Sequence, residues 1–193
     1  WPLFINTVRK HQPDAVIFSD AGPDVRWIGN EAGQGSDVNW APLNRDRYMP
    51  GTPLYEELTQ GQRDGSHWVP AEAPVSIRPG WFWKKAEDEK VKTTQQLLEI
   101  FYNTVGLGAT LNLNVPPNSD GLISQVDVDR LTEWQSAIQR QFANEIKVKR
   151  AQWDQATLWA ELDAEQVIDK VVLSEPIEIG QRIGKFEVQV QSE

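Results

Sequence analysis

The run Asp20 to Glu31, DAGPDVRWIGNE, gathers carboxylates, an arginine and a tryptophan directly after a predicted strand at Ala15 to Ser19 (AVIFS). Catalytic groups concentrate on loops that follow strands, and Gly22, Pro23 and Gly29 argue against an unbroken helix or strand through this segment. A second run, Trp68 to Trp83 (WVPAEAPVSIRPGWFW), sets Glu72 and Arg78 among Trp68, Trp81, Phe82, Trp83 and prolines. Sugar-binding clefts have this mixture, because the C–H faces of a sugar stack on aromatic rings while its hydroxyls take bidentate bonds from charged groups. Composition alone leaves open a polar connecting loop for the first run and a tryptophan-rich core loop for the second.

Three longer segments carry more: QPDAVIFSDAGPDVRWIGNEAG (Gln12 to Gly33), the Trp68 to Trp83 run, and GATLNLNVPPNSDGLI (Gly108 to Ile123). Together they resemble the retaining alpha-L-fucosidases of glycoside hydrolase family 29, most closely the branch that prefers alpha-1,3/1,4-linked fucose. The resemblance runs from Trp1 to about Phe142 and returns in VVLSEPIEIGQRIGKFEV, Val171 to Val188, which is similar to the opening of the family's C-terminal beta-sandwich. It implies an α/β fold: the C-terminal part of a TIM-like (β/α)8 barrel over residues 1–143, then a linker and the beginning of a β-sandwich over 144–193. It also implies a retaining exo-acting hydrolase that removes alpha-linked L-fucose from a glycan or oligosaccharide with no metal or organic cofactor. The family's usual export implies a periplasmic or secreted protein.

Retaining glycoside hydrolysis needs two carboxyl groups about 5 to 5.5 Å apart, one attacking the anomeric carbon and one protonating the leaving oxygen. By the resemblance Glu31 is the acid/base, set near Trp27, whose apolar wall suits a protonated carboxyl. The bland alternative for Glu31 is a loop carboxylate paired with Arg26. The resemblance places Asp24, Arg26, Trp27 and Glu72 near the leaving sugar, with Arg78 and Trp81 closing the pocket. Asp20 is expected to order its loop or to accept from Arg26. The family's nucleophile is an Asp in a motif like WFDGA on the preceding strand, and that motif is absent here, as are the family's fucose-binding histidines. The chain is therefore expected to be an inactive fragment that starts inside a domain and needs the missing N-terminal half of the barrel as its partner. It departs from common family patterns at GWFWK (Gly80 to Lys84), TVGL (Thr104 to Leu107) and Asn112. On an alternating strand, Asn112 either faces the pocket or is a buried amide that must find partners.

Bulk properties agree with a neutral substrate. The chain has 193 residues, 39% hydrophobic content, nine Trp, a net charge of -9 and a pI near 4.8. That is enough to bury a sizeable core, and the acidic balance argues against nucleic acid or an anionic membrane as partner. Without cysteine there is no thiolate metal site, and His11 and His67 are too few and scattered for zinc. No apolar run approaches the roughly 20 residues of a membrane span.

Periodicity supplies the elements that must hold these residues. WPLFINTVRKH reads as a helix with Pro2 in its first turn, and Asp20 to about Gly65 as a long functional loop with helical turns near Pro53 to Thr59. Strands are expected at Trp68 to Glu72, Trp81 to Trp83 and Ala109 to Val115. Helices are expected at Lys92 to Val105, capped by Thr93 or Thr94, and at Val126 to Phe142. Beyond Phe142, Asn144 to Gln166 is a linker or a first strand, and Val171 to Leu173 and Phe186 to Val190 are expected strands around a turn at Gly180. Two competing functions remain in view: a non-catalytic carbohydrate-binding protein of the same fold, and a retaining hydrolase of another sugar.

Overall fold

A computed structural model describes residues 1–20, 24–48, 54–176 and 183–190; Gly22, Pro23, Pro53 and the turn at Gly180 lie outside the described residues. Helix α1, Pro2–His11, starts at Trp1 with proline in its first turn, and its last turn carries Arg9 and Lys10, cations suited to the negative end of a helix. A parallel sheet follows, in the order β1 (Phe18–Ser19), β2 (Val25–Trp27), β5 (Ala71–Ser76), β6 (Thr110–Asn114). Between β2 and β5 the chain forms β3 (Pro42–Leu43), a 3-10 turn at Arg45–Arg47, helix α2 (Tyr55–Gln60) and β4 (His67–Trp68), which pairs antiparallel with β3. Helix α3 (Thr94–Thr104) joins β5 to β6, and α4 (Gln125–Gln141) follows β6. Helix α2 lies in the connection from β2 to β5 and α3 in the connection from β5 to β6, the crossovers that parallel neighbours need, so the fold is α/β.

The sheet has two chemically different faces because side chains alternate along a strand. On one face Ala71, Ala73, Val75 and Ile77 are buried. Val75 and Ile77 pack with Leu97, Ile100, Leu111, Leu113, Leu131 and Trp134, so α3 and α4 cover this side. The other face carries Glu72 and Pro74 of β5 and Thr110, Asn112 and Asn114 of β6, none of them buried. That second face is the open one, and the C-terminal ends of its strands are where sheets of this kind bind ligands.

Helix α3 is set by its ends. Thr93 accepts from the Gln96 backbone N–H while the Gln96 side chain accepts from the Thr93 N–H, a capping box contributing about 1 kcal/mol. In α4, Leu131 and Trp134 reach the core as the helical spacing predicts, but Val128 and Phe142 stay exposed.

Several expectations need correction. The run from Asp20 to Glu31 is not simply a loop, since it contains β2, an interior strand of the sheet. Its β-favouring Val25-Arg26-Trp27 is only three residues long, too short for an alternation pattern to reveal it. The described residues up to Gly65 are likewise structured, around a core of Leu43, Tyr48, Leu58 and Val69. Trp81 to Trp83 forms bends instead of a strand. No strand forms at 171–173 or 186–190; among the described residues the β-structure of this region is the hairpin β7 (Arg150–Asp154) and β8 (Thr157–Glu161), every residue of which is exposed. Alternation gives a segment the capacity to be a strand, but a ladder partner makes it one, and the later segments have none among the described residues.

Candidate active site

Glu31 follows β2, Trp81 follows β5, and Asn114 is the last residue of β6, so all three stand at the C-terminal edge of the parallel sheet. Open α/β sheets and barrels bind ligands at this edge, where the loops from adjacent strands converge. The geometry joins the three residues. The Trp81 indole Nε1–H donates to Glu31 Oε2 at 3.1 Å, and Asn114 Nδ2 donates to the Trp81 carbonyl at 3.1 Å. An indole N–H can only donate, so Glu31 must be the acceptor.

Along the open face β2 and β5 pair Trp27 with Glu72, and Asn112 Nδ2 donates to Glu72 Oε1 at 2.8 Å. Asn112 is thus an exposed amide on the open face, partnered by Glu72, and not a buried one. The Trp27 ring meets Tyr55 edge-on at 5.8 Å between centroids. Glu31, Trp27, Glu72 and Trp81 therefore all belong to the open face and its rim, a lining of carboxylates, an amide and indole rings.

Arg26, Asp24 and Arg78 do not share that lining. Arg26 pairs with Ala71 on the covered face and is fully buried. Its Nε donates to Leu58 O, Nη1 to Ala41 O and Val69 O, and Nη2 to Asn39 Oδ1 and Trp40 O. A guanidinium has five N–H bonds, so none is left for Glu31, Asp20 or a sugar, and the expected contact of Arg26 with the leaving sugar is corrected to a structural role. Desolvation brings Arg26 down to about 10. Gly61 makes this nest possible: at φ +73 its position admits no Cβ, which would lie 1.9 Å from the Trp40 carbonyl that Arg26 grips.

Asp24 likewise turns away from the cleft, accepting from Arg9 and from the Ile17 N–H at 2.7 Å. Burial alone would raise this carboxyl, but those donors hold it below the ordinary carboxylate value. It clamps α1 to the sheet. Arg78 is fully buried and meets both oxygens of buried Asp127 through Nε at 3.1 and 3.0 Å, with Asp88 at 3.0 Å from Nη2. Desolvation opposes its charge, yet the two carboxylates raise its pKa above the usual arginine value. Because Arg78 also donates to Lys84 O at 3.3 Å, it anchors the end of the Trp81 loop.

Sequence reasoning missed Asn114, Ser76 and Asp127. The first was legible, since Asn112 and Asn114 sit two apart on one strand and must share a face. Among the described residues no three His, Asp or Glu side chains come together as a metal site would require.

A protein-family model described as Alpha-L-fucosidase matches residues 9–140. The chain belongs to the alpha-L-fucosidase family. It is 46% identical over 146 residues to Alpha-L-fucosidase 1 of Arabidopsis thaliana, covering 76% of this chain and 28% of that protein. Among solved structures, a glycoside hydrolase 29 family member from an unknown rumen bacterium matches with a TM-score of 0.71 at 36% identity, over 80% of this chain and 28% of that one. A Ruminococcus gnavus GH29 fucosidase in complex with fucose matches with a TM-score of 0.59 at 35% identity, over 68% of this chain and 26% of its own. The chain spans 28% of the Arabidopsis relative and 41% of one from Oryza sativa subsp. japonica. In this alpha-L-fucosidase family chain, the match ends near the close of α4, so Glu31, Glu72, Trp81 and Asn114 all fall inside it.

Proposed function

We propose that this chain supplies the acid/base side of a retaining exo-alpha-L-fucosidase, with Glu31 as the proton donor. The observation that carries the proposal is the Trp81 Nε1–H bond to Glu31 Oε2 at the C-terminal edge of the sheet. That bond makes the two carboxyl oxygens unequal: Oε2 accepts from the indole, which leaves Oε1 to carry the proton toward the glycosidic oxygen. As a carboxylate from the other half of the barrel attacks the anomeric carbon, the bond to the glycosidic oxygen breaks and its electron pair goes to that oxygen, which takes the proton; in the second half-reaction Glu31 removes a proton from water as the water oxygen attacks the anomeric carbon and releases the carboxylate.

Residues 1–143 are proposed to form the C-terminal part of a TIM-like (β/α)8 barrel, and 144–193 a linker and the opening of a β-sandwich. The four parallel strands with crossover helices support the first, and the exposed β7–β8 hairpin the second. The nucleophilic Asp and the fucose-holding histidines come from the N-terminal half of that barrel, and the 193-residue chain alone does not turn over. Trp27, Glu72 and Trp81 line the side of the cleft that receives the leaving sugar. The substrate is alpha-linked fucose, with a 1,3/1,4 preference, on a glycan or oligosaccharide met in the periplasm or outside the cell.

The test is Glu31→Gln in the complete protein. An amide of the same shape cannot donate a carboxyl proton, so turnover of a fucosyl oligosaccharide should fall by about 10² to 10⁴. The first step on an aryl fucoside with an activated phenol, which needs no protonation, should change little. Equal losses on both would sink the assignment. An aryl beta-D-galactoside turned over in preference to the fucoside would sink the choice of sugar.

A further inference from the structure

The tip of the loop after β5 is held by surprisingly little packing: Trp81 is 38% exposed and Phe82 81% exposed. Polar bonds fix it instead. Asn114 Nδ2 donates to the Trp81 carbonyl at 3.1 Å and to Ser76 Oγ at 3.0 Å, and Ser76 Oγ donates to the Gly80 carbonyl at 2.7 Å. Asn114 therefore commits both of its N–H bonds to the strand end and loop that carry Trp81. From there one further bond reaches Glu31.

We infer that Asn114 is a positioning residue for proton transfer, acting through Trp81 on Glu31; the inference rests on the proposed role of Glu31. The side chain sits on β6, a strand paired along its whole length with β5, so its amide is a fixed point from which the loop hangs. The bond from Trp81 selects which oxygen of Glu31 is free. Loss of the Asn114 bonds lets the loop tip drift, the indole leaves Oε2, and the acid is no longer presented in one orientation.

The complete protein tests this with Asn114→Asp, which keeps the side-chain volume and removes both N–H donors, alongside Trp81→Phe and the double variant. A bond of this kind corresponds to roughly a 10-fold change in rate. Asn114→Asp should therefore lower kcat/KM on a fucosyl oligosaccharide roughly 10-fold and leave kcat/KM on the activated aryl fucoside within about twofold, because that ratio reports the first half-reaction, where only the poor leaving group needs the proton. Adding Asn114→Asp to Trp81→Phe should cost nothing more, because both act through one contact. Losses equal on both substrates, or additive in the double variant, would overturn the inference.

A readout free of turnover keeps it separable from the role of Glu31. With 5-fluorotryptophan incorporated, the Trp81 resonance, assigned by its absence in Trp81→Phe, should shift in Glu31→Gln and shift likewise in Asn114→Asp. A Trp81 signal indifferent to Asn114→Asp overturns the positioning inference whatever Glu31 does. Should Glu31→Gln instead lack leaving-group dependence while both variants move the signal, the proton-donor assignment fails and the mechanical link from Asn114 stands.

Discussion

Arg26 shows how one buried side chain can hold a site without touching its ligand. Four of its five N–H groups close off backbone carbonyls from three separate segments, Leu58, Val69 and Trp40–Ala41, and the fifth meets Asn39 Oδ1, on the side of the sheet opposite the open face. Arg26→Ala leaves those acceptors buried and empty and should destabilise the complete protein by about 3 to 5 kcal/mol in chemical denaturation. Arg26→Lys should fail almost as badly, since an ammonium cannot span the same fan of carbonyls; wild-type stability in either variant would contradict the structural role. Asp24 gives a pH signature. Its folded pKa lies below the ordinary value of 3.8, so its contribution is fully present above 3.8 and is lost as pH falls through the lower folded value. Asp24→Asn should flatten the acid side of a Tm-against-pH curve by a small amount, because the Arg9 pair is about a third exposed and screened.

Among the elements, those with many local contacts were the most legible. The Thr93 cap, the Leu97 and Leu98 stripe and the stop after Val105 give α3 within a residue or two, because capping and periodicity are written in adjacent positions. Thr93→Ala should accordingly cost about 1 kcal/mol, measured as a lowered denaturation midpoint with an unchanged slope. Strand β2 was hidden because its three residues are strand only through β1 and β5 on either side, and those partners lie elsewhere in the sequence. The same dependence misled in the opposite direction at 171–173 and 186–190, where alternation exists without a ladder. The division of Trp27 and Glu72 from Arg26 and Asp24 into two faces is not readable in the sequence either, for it follows from the register of β2 against β5. Glu31 and Trp81, by contrast, were named from their motifs, and the fold brings them into contact across 50 positions.

The molecule as described has one covered side and one open side. Leu3 and Phe4 of α1, Val16, Phe18 and Phe82 are exposed, and the open face of the sheet carries a polar row from Glu72 to Asn114. Relatives are longer, with this chain spanning 28% and 41% of two of them. On its own, the chain should bind a hydrophobic dye strongly and elute as an aggregate, whereas the complete protein should do neither. Dye binding as low as that of the complete protein would mean that the exposed apolar side chains need no partner. Turnover of an aryl fucoside by the chain alone would contradict the placement of the nucleophile outside it.

The role of Glu31 is tested most directly by the product that Glu31→Ala of the complete protein forms from an activated aryl alpha-L-fucoside in azide. Departure of the phenol leaves a beta-linked glycosyl-enzyme, and azide, which needs no general base, attacks it from the opposite side. The expected product is alpha-L-fucosyl azide, formed with a rise in turnover as azide is added. Beta-L-fucosyl azide would make Glu31 the nucleophile, and an absence of any azide adduct or rate recovery would remove it from the proton transfer altogether.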